Sequence, residues 1–481
     1  MDDYKLGEDD TEDEIEVTAK WGIKGYGSEF YQITSLIDEF LSSDPNQIEA
    51  ISSLLKTLIE EINSKPKEAT KSLDNVRNLF FEIQMYFQNF YNEQYIGIIT
   101  QLLLLMDTIL TKNADFSKFI IDVSDDDPDQ LLDSFMKILE DRTDYENSLY
   151  ILRVGIIFSI IENSSKNNAF ILSINQDFID CLNTTYYVFD ANALSSDHLI
   201  SINFVRILYK YFKSKTYLDR KTAEYILELF NFLASNIFFE DEIIISNCLS
   251  ALNEMITNHE DLIHMFNSFS IYQTVPDIPC NPDCEKIKFD IFSNSLHIYD
   301  EETNKKETKK IIADISASVP MDYIISRLTE VEHHELLFSG LTLIYSKLHF
   351  DKSIVNLDVS SLCNLMKITW EHIDLDTKDL ITDVVILISK FSDKENYNNI
   401  INSGIITEVV DFAQNQHDKC KSCMQIMINA VNLNPEFAKL EMMQQCLDEL
   451  LECIEENDWE DIEDLGDVLT NKFNEINSKE E

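Results

Sequence analysis

The sequence predicts an all-α protein, and three observations support that prediction. First, nine Gly and eight Pro make 17 of 481 residues, where average usage would give roughly 12%. Sandwiches, barrels and doubly wound sheets need many tight turns, and these two residues supply the backbone angles of such turns. Second, hydrophobic residues make 44% of the chain and recur at helical spacing. Third, no run alternates cleanly enough to predict a strand.

Amphipathic segments of about 12 to 18 residues follow one another, separated by short polar breaks. In the first of them, Ile48, Ile51, Leu55, Ile59 and Ile62 fall on one side of a helix because they are three or four residues apart. Helices are predicted over 47–62, 73–91, 95–110, 129–140, 148–162, 199–213, 221–235, 242–257, 335–349, 378–391, 418–432 and 442–455.

The region 270–318 interrupts this pattern. Three of the eight prolines and two cysteines lie between 276 and 284, and the stretch 286–299 combines β-prone residues with partial alternation. We therefore predict an irregular insertion or joint at 270–318 between two helical halves. The predicted domains are a flexible acidic arm (1–26), an N-terminal helical-repeat half (27–269), this joint (270–318), a C-terminal armadillo-like half (319–464) and an acidic tail (465–481).

The long apolar helices recur at a regular interval. They begin near residues 199, 243, 335, 378 and 417, which gives intervals of 44, 43 and 39 residues and one gap of 92. A period of roughly 40 to 47 residues is typical of stacked repeats of two or three helices. An irregular helical bundle is the alternative fold.

The stretch 398–412 reads NNIINSGIITEVVDF and precedes a long predicted helix at 416–432. This resembles an armadillo repeat, in which a short helix ends at a small residue and Gly before a second helix and a longer third. Gly404 would allow the sharp turn between the first two helices. The resemblance is clearest over 390–456 and weaker over 320–390 and 197–267. It implies a right-handed α-solenoid.

In armadillo proteins the third helices line a groove that holds an extended peptide, often through asparagines. Asn429 matches that position, with Gln425 one turn earlier on the same side of the helix. The nuclear-import adapters of the superfamily carry Trp where Gln425 stands, and they have a basic N-terminal segment where residues 1–16 carry nine acids and one base. The resemblance therefore does not extend to import-adapter function.

The charge of the chain limits its partners and its location. With 38 Lys and Arg against 87 Asp and Glu, the formal charge is −49, which disfavours direct binding to nucleic acid and to anionic membranes. It favours other proteins with basic or amphipathic segments as partners. No basic, apolar leader precedes the first helix, and the longest apolar stretch (95–110) is broken by polar residues. We expect no membrane insertion and an intracellular, cytoplasmic or nuclear, protein.

Two cysteine pairs are the candidate metal ligands. Cys420 and Cys423 follow His417 at three-residue spacing, and Cys280 and Cys284 form a Cys-x₃-Cys loop. Each set lacks the fourth ligand of a closed zinc site, so small buried or loop thiols are the alternative, and we predict no metal and no cofactor. The acidic run 122–133 has Gln130 where a calcium loop needs Gly.

No phosphate-binding loop, nucleophile elbow or paired catalytic motif occurs in the sequence. The sequence therefore favours a non-catalytic scaffold or adapter that binds proteins on a helical-repeat surface. The alternative is a regulatory or scaffolding subunit of a larger permanent assembly. A remote alternative is an enzyme whose active site is assembled from distant residues.

Overall fold

In a computed structural model of the chain, every regular element of the described residues is a helix. The described residues are 24–65, 67, 73, 75–121, 130–141, 148–188, 198–214, 220–234, 242–259, 262, 264–298, 305–330, 333–351, 358–414, 416–457 and 459–478. The all-α prediction is confirmed for this part of the chain. The protein divides into two units, Met1–Ile226 and Leu227–Glu481.

The first unit is built from long helices of 17 or 18 residues and from shorter ones. Its helices are α1 (Lys24–Leu41), α2 (Ile48–Ser64), α3 (Val76–Asn89), α4 (Ile96–Lys112), α5 (Lys118–Ile121), α6 (Gln130–Glu140), α7 (Ser148–Ser164), α8 (Asn168–Ser173), α9 (Gln176–Val188) and α10 (His198–Ser214), and α11 (Arg220–Ala234) contains the boundary to the second unit. A 3₁₀ turn occupies Ala114–Ser117.

Within this unit, each long helix packs against the next long helix. Helices α2, α4, α7 and α10 have 17 residues each, and the pairs α2–α4, α4–α7 and α7–α10 are in contact. A second series runs through other helices of the unit, in which α1 packs on α3, α3 on α6 and α6 on α9. Each helix is therefore stabilised mainly by burying apolar area against its neighbours rather than by intrinsic propensity.

The second unit continues with the same kinds of helix. Its helices are α12 (Glu242–Asn258), α13 (Met265–Ser268), α14 (Ile271–Thr274), α15 (Pro282–Ile298), α16 (Lys305–Ser318), α17 (Met321–Glu330), α18 (His334–Asp351), α19 (Val359–Thr369), α20 (Leu375–Phe391), α21 (Lys394–Asn402), α22 (Ile405–Ala413), α23 (His417–Leu433), α24 (Glu441–Asn457) and α25 (Glu460–Asn477). Short 3₁₀ turns occupy Val275–Asp277, Trp370–His372 and Pro435–Lys439.

A long-helix series is also present in this unit. Helices α12, α15, α18, α20, α23 and α25 have 17 or 18 residues, and each contacts the next. They begin at residues 242, 282, 334, 375, 417 and 460, so the intervals are 40, 52, 41, 42 and 43 residues. Other helices form a second series, in which α17 packs on α19, α19 on α22 and α22 on α24.

The structure differs from the irregular joint expected at 270–318. Over its described part, the β-prone stretch 286–299 belongs to α15, which packs against both α12 and α18 and occupies the gap of 92 residues in the predicted repeat. The helical pattern of α15 is concealed because it buries polar residues, Glu285, Lys288 and Ser295, beside its apolar ones. The domain boundaries themselves stay a prediction, and the arm (1–26) and tail (465–481) lie partly outside the described residues.

The turn expected at Gly404 is confirmed. Gly404 has φ of 72° and lies between α21 and α22. This left-handed conformation costs a residue with a Cβ roughly 1–2 kcal/mol. The nearest atom to a Cβ built there is Lys367 Cε, at 4.0 Å, so space is available and the backbone angle alone explains the glycine.

Candidate functional site

Three successive long helices, α20, α23 and α25, form the candidate site, and α23 contacts both of the others. The buried side of α23 carries Cys423 and Met427, each 0% exposed. Its opposite side carries Lys421, Gln425 and Asn429 at intervals of four residues. This spacing places the three polar side chains one above the other on a helix, and so they share one surface.

This polar side of α23 opens onto a cavity of about 280 Å³ between the three helices. The cavity is lined by Ile386, Ser389 and Lys390 of α20, by Lys421, Ser422, Gln425, Ile426 and Asn429 of α23, and by Leu465 of α25. Its apolar residues come from all three helices, and its charged residues are both lysines. A cavity of this size is close to the lower end of the range for small-ligand pockets, and it has room for one side chain of a bound segment.

Gln425 and Asn429 act as one polar unit. Gln425 Nε2 donates a hydrogen bond to Asn429 Oδ1 at 2.9 Å. This bond leaves the Gln425 carbonyl oxygen and the Asn429 amide N–H groups directed to other partners. A donor and an acceptor side by side are what a peptide backbone presents in return, so the pair is suited to hold an extended chain.

The Tyr397 hydroxyl lies beside this pair. Tyr397 belongs to α21 and is 1% exposed, and its hydroxyl makes no hydrogen bond of good geometry with any described residue. Burial raises the pKa of the Tyr397 phenol, whereas Asn429 and Ser389 are close enough to lower it in part. A buried hydroxyl without a partner costs free energy, and this one is next to two residues that line the cavity.

The charges around the cavity are unevenly distributed. Lys390 and Lys421 line it, and no carboxylate of a described residue does. Lys390 has no ion-pair partner among the described residues. Lys419, on the same helix as Lys421, is by contrast held by two carboxylates of α20, with Asp379 Oδ1 at 2.6 Å and Asp383 Oδ1 at 3.2 Å from its Nζ. Lys419 therefore joins two helices. Lys390 and Lys421 are both exposed.

The Cys420–Cys423 pair is buried in the packing of α23. Both residues are 0% exposed, and burial raises the pKa of the Cys420 thiol to about 12. His417 instead contacts Asp418, with 3.2 Å between Nδ1 and Oδ1, and packs its ring edge-on against Trp459. The two thiols therefore have the surroundings of small buried residues, and metal binding needs their deprotonated form.

The Cys280–Cys284 pair belongs to a buried polar cluster at the start of α15. Cys280 Sγ lies 3.3 Å from Glu285 Oε2, and Glu285 also pairs with Lys288 at 3.1 Å. A hydrogen bond between the two thiols raises the pKa of Cys280 and lowers that of Cys284. Within the described residues there is no group of three or more His, Cys, Asp or Glu side chains that could hold a metal ion.

The cavity combines residues that were predicted from the sequence with residues that were not. Gln425 and Asn429 were predicted as neighbours on one side of a helix, and they lie together in the cavity. Lys390, Tyr397 and Leu465 were not predicted. The repeat interval was the one sequence signal that could have identified Ser389 and Lys390. These two residues precede Asn429 by about one interval, and so they lie at a similar height on the preceding long helix.

No described helix is both long enough and apolar enough to cross a lipid bilayer. No protein-family model matches the chain, and no curated protein matches it.

Proposed function

We propose that the chain is a non-catalytic scaffold or adapter that binds partner proteins on the surface of a right-handed, armadillo-like α-solenoid. The proposal is supported by the long-helix series of each unit, in which every long helix contacts the next at intervals of about 40 to 52 residues. Stacked repeats of this kind offer extended surfaces to partners.

The observation that carries the proposal is the cavity across α20, α23 and α25. It contains Asn429, the residue that the armadillo resemblance assigns to a peptide-binding groove, and Gln425 one turn earlier. An extended segment lying across the three helices would pair its backbone with this amide pair and place a side chain against Ile386, Ile426 and Leu465. The amide pair is supplied by the exposed side of α23, and the apolar contacts come from all three helices.

Outside the cavity, the net charge of −49 favours partners whose binding segments are basic or amphipathic. Exposed charges attract over a distance of about 8 to 10 Å at moderate salt, and added salt shortens that distance. We therefore expect the affinity for a partner to fall as the salt concentration rises.

Substitution of Asn429 tests the proposal. A partner is first captured from native cell extract by the full-length chain and identified, and its affinity for the wild-type and Asn429→Ala chains is then measured by calorimetry. We expect Asn429→Ala to weaken binding by about 1 kcal/mol or more, because a buried backbone group of the partner loses its hydrogen bond. The midpoint of urea unfolding should change little, because Asn429 is partly exposed on a helix.

Asn402→Ala is the matched control. Asn402 is the exposed last residue of α21 and does not line the cavity, so its removal should leave the affinity unchanged. Equal affinities of the wild-type and Asn429→Ala chains for the partner, at low and at high salt, would show that this surface is not the binding site.

Exposed apolar side chains favour a second candidate function, that of a subunit in a permanent assembly. Ile368 and Leu375 are 74% and 72% exposed and lie on either side of the buried Trp370. Contiguous exposed apolar patches are typical of surfaces that a neighbour covers, and these two side chains are the most exposed large apolar ones of the described residues. A purified chain that is monodisperse in light scattering would favour the adapter, whereas one that stays in solution only with a copurifying protein would favour the subunit.

A further inference from the structure

The Cys280–Cys284 pair differs from the other cysteines in exposure and in acidity. Eight of the nine cysteines are buried, whereas Cys280 is half-buried. Burial raises the pKa of six of the buried thiols, those of Cys248, Cys363, Cys420, Cys423, Cys446 and Cys453. The pKa of Cys284 is instead lowered. The most accessible thiol of the chain therefore lies beside one that ionises more readily than its buried counterparts.

The start of α15 holds the two thiols together. Cys284 lies in the first turn of this helix, where its backbone N–H donates to Asn281 Oδ1 at 3.0 Å, and Cys280 lies just before the helix. Cys280 Sγ is 3.3 Å from Glu285 Oε2, and a hydrogen bond also joins the two thiols. Both cysteines are free, so the pair is in its reduced form and in contact.

The hydrogen bonds at Cys284 favour its charged form. Bonds from Cys280 and then from Ser246 of α12 lower the pKa of Cys284, whereas its burial raises it. The thiolate is the form of cysteine that attacks an oxidant. Cys280 keeps its proton more firmly, because its hydrogen bond to Cys284 raises the pKa of Cys280. A thiolate with a second thiol beside it is the arrangement that converts an oxidised sulfur into a disulfide.

We propose that Cys284 and Cys280 form a modification site at which hydrogen peroxide oxidises the chain to an intramolecular disulfide. The Cys284 thiolate attacks one oxygen of the peroxide, which breaks the O–O bond, leaves a sulfenic acid on Cys284 and releases hydroxide. This hydroxide takes the Cys280 proton and becomes water. The Cys280 thiolate then attacks the Cys284 sulfur, which forms the S–S bond and releases a second hydroxide. Two electrons pass from the sulfur pair to the peroxide.

The oxidised chain should stay folded. The disulfide removes the thiol that donates to Glu285, but Glu285 still accepts from Lys288 at 3.1 Å and from Tyr323 at 2.5 Å. Circular dichroism should therefore be the same before and after oxidation. The inference is independent of the proposed function, because neither cysteine lines the cavity across α20, α23 and α25.

Peptide mapping of the full-length chain tests the site. The reduced chain is treated with hydrogen peroxide and quenched with acid, its remaining thiols are alkylated, and mass spectrometry follows each cysteine over time. We expect Cys280 and Cys284 to lose alkylation together, through a disulfide between them, about 10-fold or more faster than the buried cysteines. Dithiothreitol should restore both thiols.

Cys420 and Cys453 provide a matched pair within the same chain. A hydrogen bond also joins these two thiols, but they are 0% and 4% exposed, and burial raises the pKa of both. They should stay reduced over the time in which Cys280 and Cys284 are oxidised. Equal rates of oxidation for the two pairs would overturn the proposal, because the exposure of Cys280 and the acidity of Cys284 would then have no effect.

Serine variants assign the two roles. Cys280→Ser should stop at the sulfenic acid, so that dimedone labels Cys284, and Cys284→Ser should slow the oxidation of Cys280 about 10-fold or more. Cys423→Ser, which removes a buried thiol outside the pair, should be oxidised like the wild type. Rapid oxidation of Cys280 in Cys284→Ser, or a Cys280→Ser chain that dimedone does not label at Cys284, would contradict the proposed site.

Discussion

Lys288 is the side chain whose surroundings are least expected from its chemistry. It is 2% exposed, and its ammonium group donates to Glu285 Oε2 at 3.1 Å and to the backbone oxygens of Pro276 and Ile278. The other oxygen of Glu285 accepts from Tyr323 Oη at 2.5 Å. A buried charge is tolerated only when it is paired and fully hydrogen-bonded. The cluster meets this condition and ties the start of α15 to the preceding 3₁₀ turn and to α17.

Removal of one member of this pair should be costly. We expect Lys288→Met to lower the free energy of unfolding by about 3–5 kcal/mol, because Glu285 would stay buried without its counter-charge. The double variant Glu285→Leu/Lys288→Met should be less destabilised than Lys288→Met alone. Urea unfolding followed by circular dichroism measures both.

Lys286→Met is the matched control, two residues earlier on the same helix. Lys286 pairs with Glu335 at 2.5 Å, but the side chain of Glu335 is 70% exposed, and exposed ion pairs contribute about 0–1 kcal/mol. Equal losses of stability in Lys286→Met and Lys288→Met would contradict the importance given to the buried cluster.

At the scale of the element, the long helices are joined by polar side chains as well as by apolar packing. In the first unit Asp107 of α4 accepts hydrogen bonds on the same oxygen, Oδ1, from Ser159 Oγ at 2.7 Å and Asn163 Nδ2 at 3.2 Å, both on α7. Burial nevertheless raises the pKa of Asp107 above its usual value. The contact between α4 and α7 therefore contains an acid whose charged form is destabilised in the folded chain.

This raised pKa fixes the sign of a pH effect. The folded state binds the Asp107 proton more tightly than the unfolded state, so this residue's contribution to stability falls as pH rises from about 4 through the raised pKa. We expect Asp107→Asn, whose Oδ1 still accepts both bonds, to gain stability relative to the wild type as pH increases. Urea unfolding in a series from pH 3 to pH 8 measures the difference.

Asp107→Ala separates charge from hydrogen bonding. It should lose about 1–3 kcal/mol at neutral pH, because Ser159 and Asn163 would lose their acceptor in a half-buried contact. A stability difference between Asp107→Asn and the wild type that is independent of pH would show that the desolvated charge of Asp107 has no effect on folding.

The sequence predicted elements better than it predicted the site. Most long helices were predicted to within a few residues, because an apolar stripe repeated every three or four residues is visible without tertiary contacts. Helix α15 was missed because its buried polar cluster interrupts the stripe. Asn429 and Gln425 could be placed by spacing alone, whereas Ile386 and Leu465 reach the cavity from other helices. Their positions depend on how the helices pack, and the spacing of residues along the sequence carries no information about that packing.

At the scale of the whole molecule, the scarce basic residues are used to join successive long helices. The chain has only 38 of them against 87 acids. Lys112 binds the backbone oxygen of Lys65, Lys210 pairs with Glu162 at 3.0 Å, and Lys419 and Lys472 bridge α23 to α20 and α25. A chain with this net charge repels itself, and two of these bridges, from Lys210 and Lys419, pair a positive charge with a carboxylate of the neighbouring long helix.

The nearest-neighbour packing of the long helices gives the last prediction. When each element contacts only its neighbours, stability is approximately a sum of local terms, and a local defect should remain local. Hydrogen exchange on full-length Lys288→Met should therefore show lost amide protection in α12, α15 and α18, which pack directly on one another in series. Protection of α2, α4 and α7 should be that of the wild type, because no part of the buried Lys288–Glu285 cluster belongs to the first unit. An equal loss of protection in both units would mean that the chain unfolds as one cooperative body, which stacked repeats with separable units do not predict.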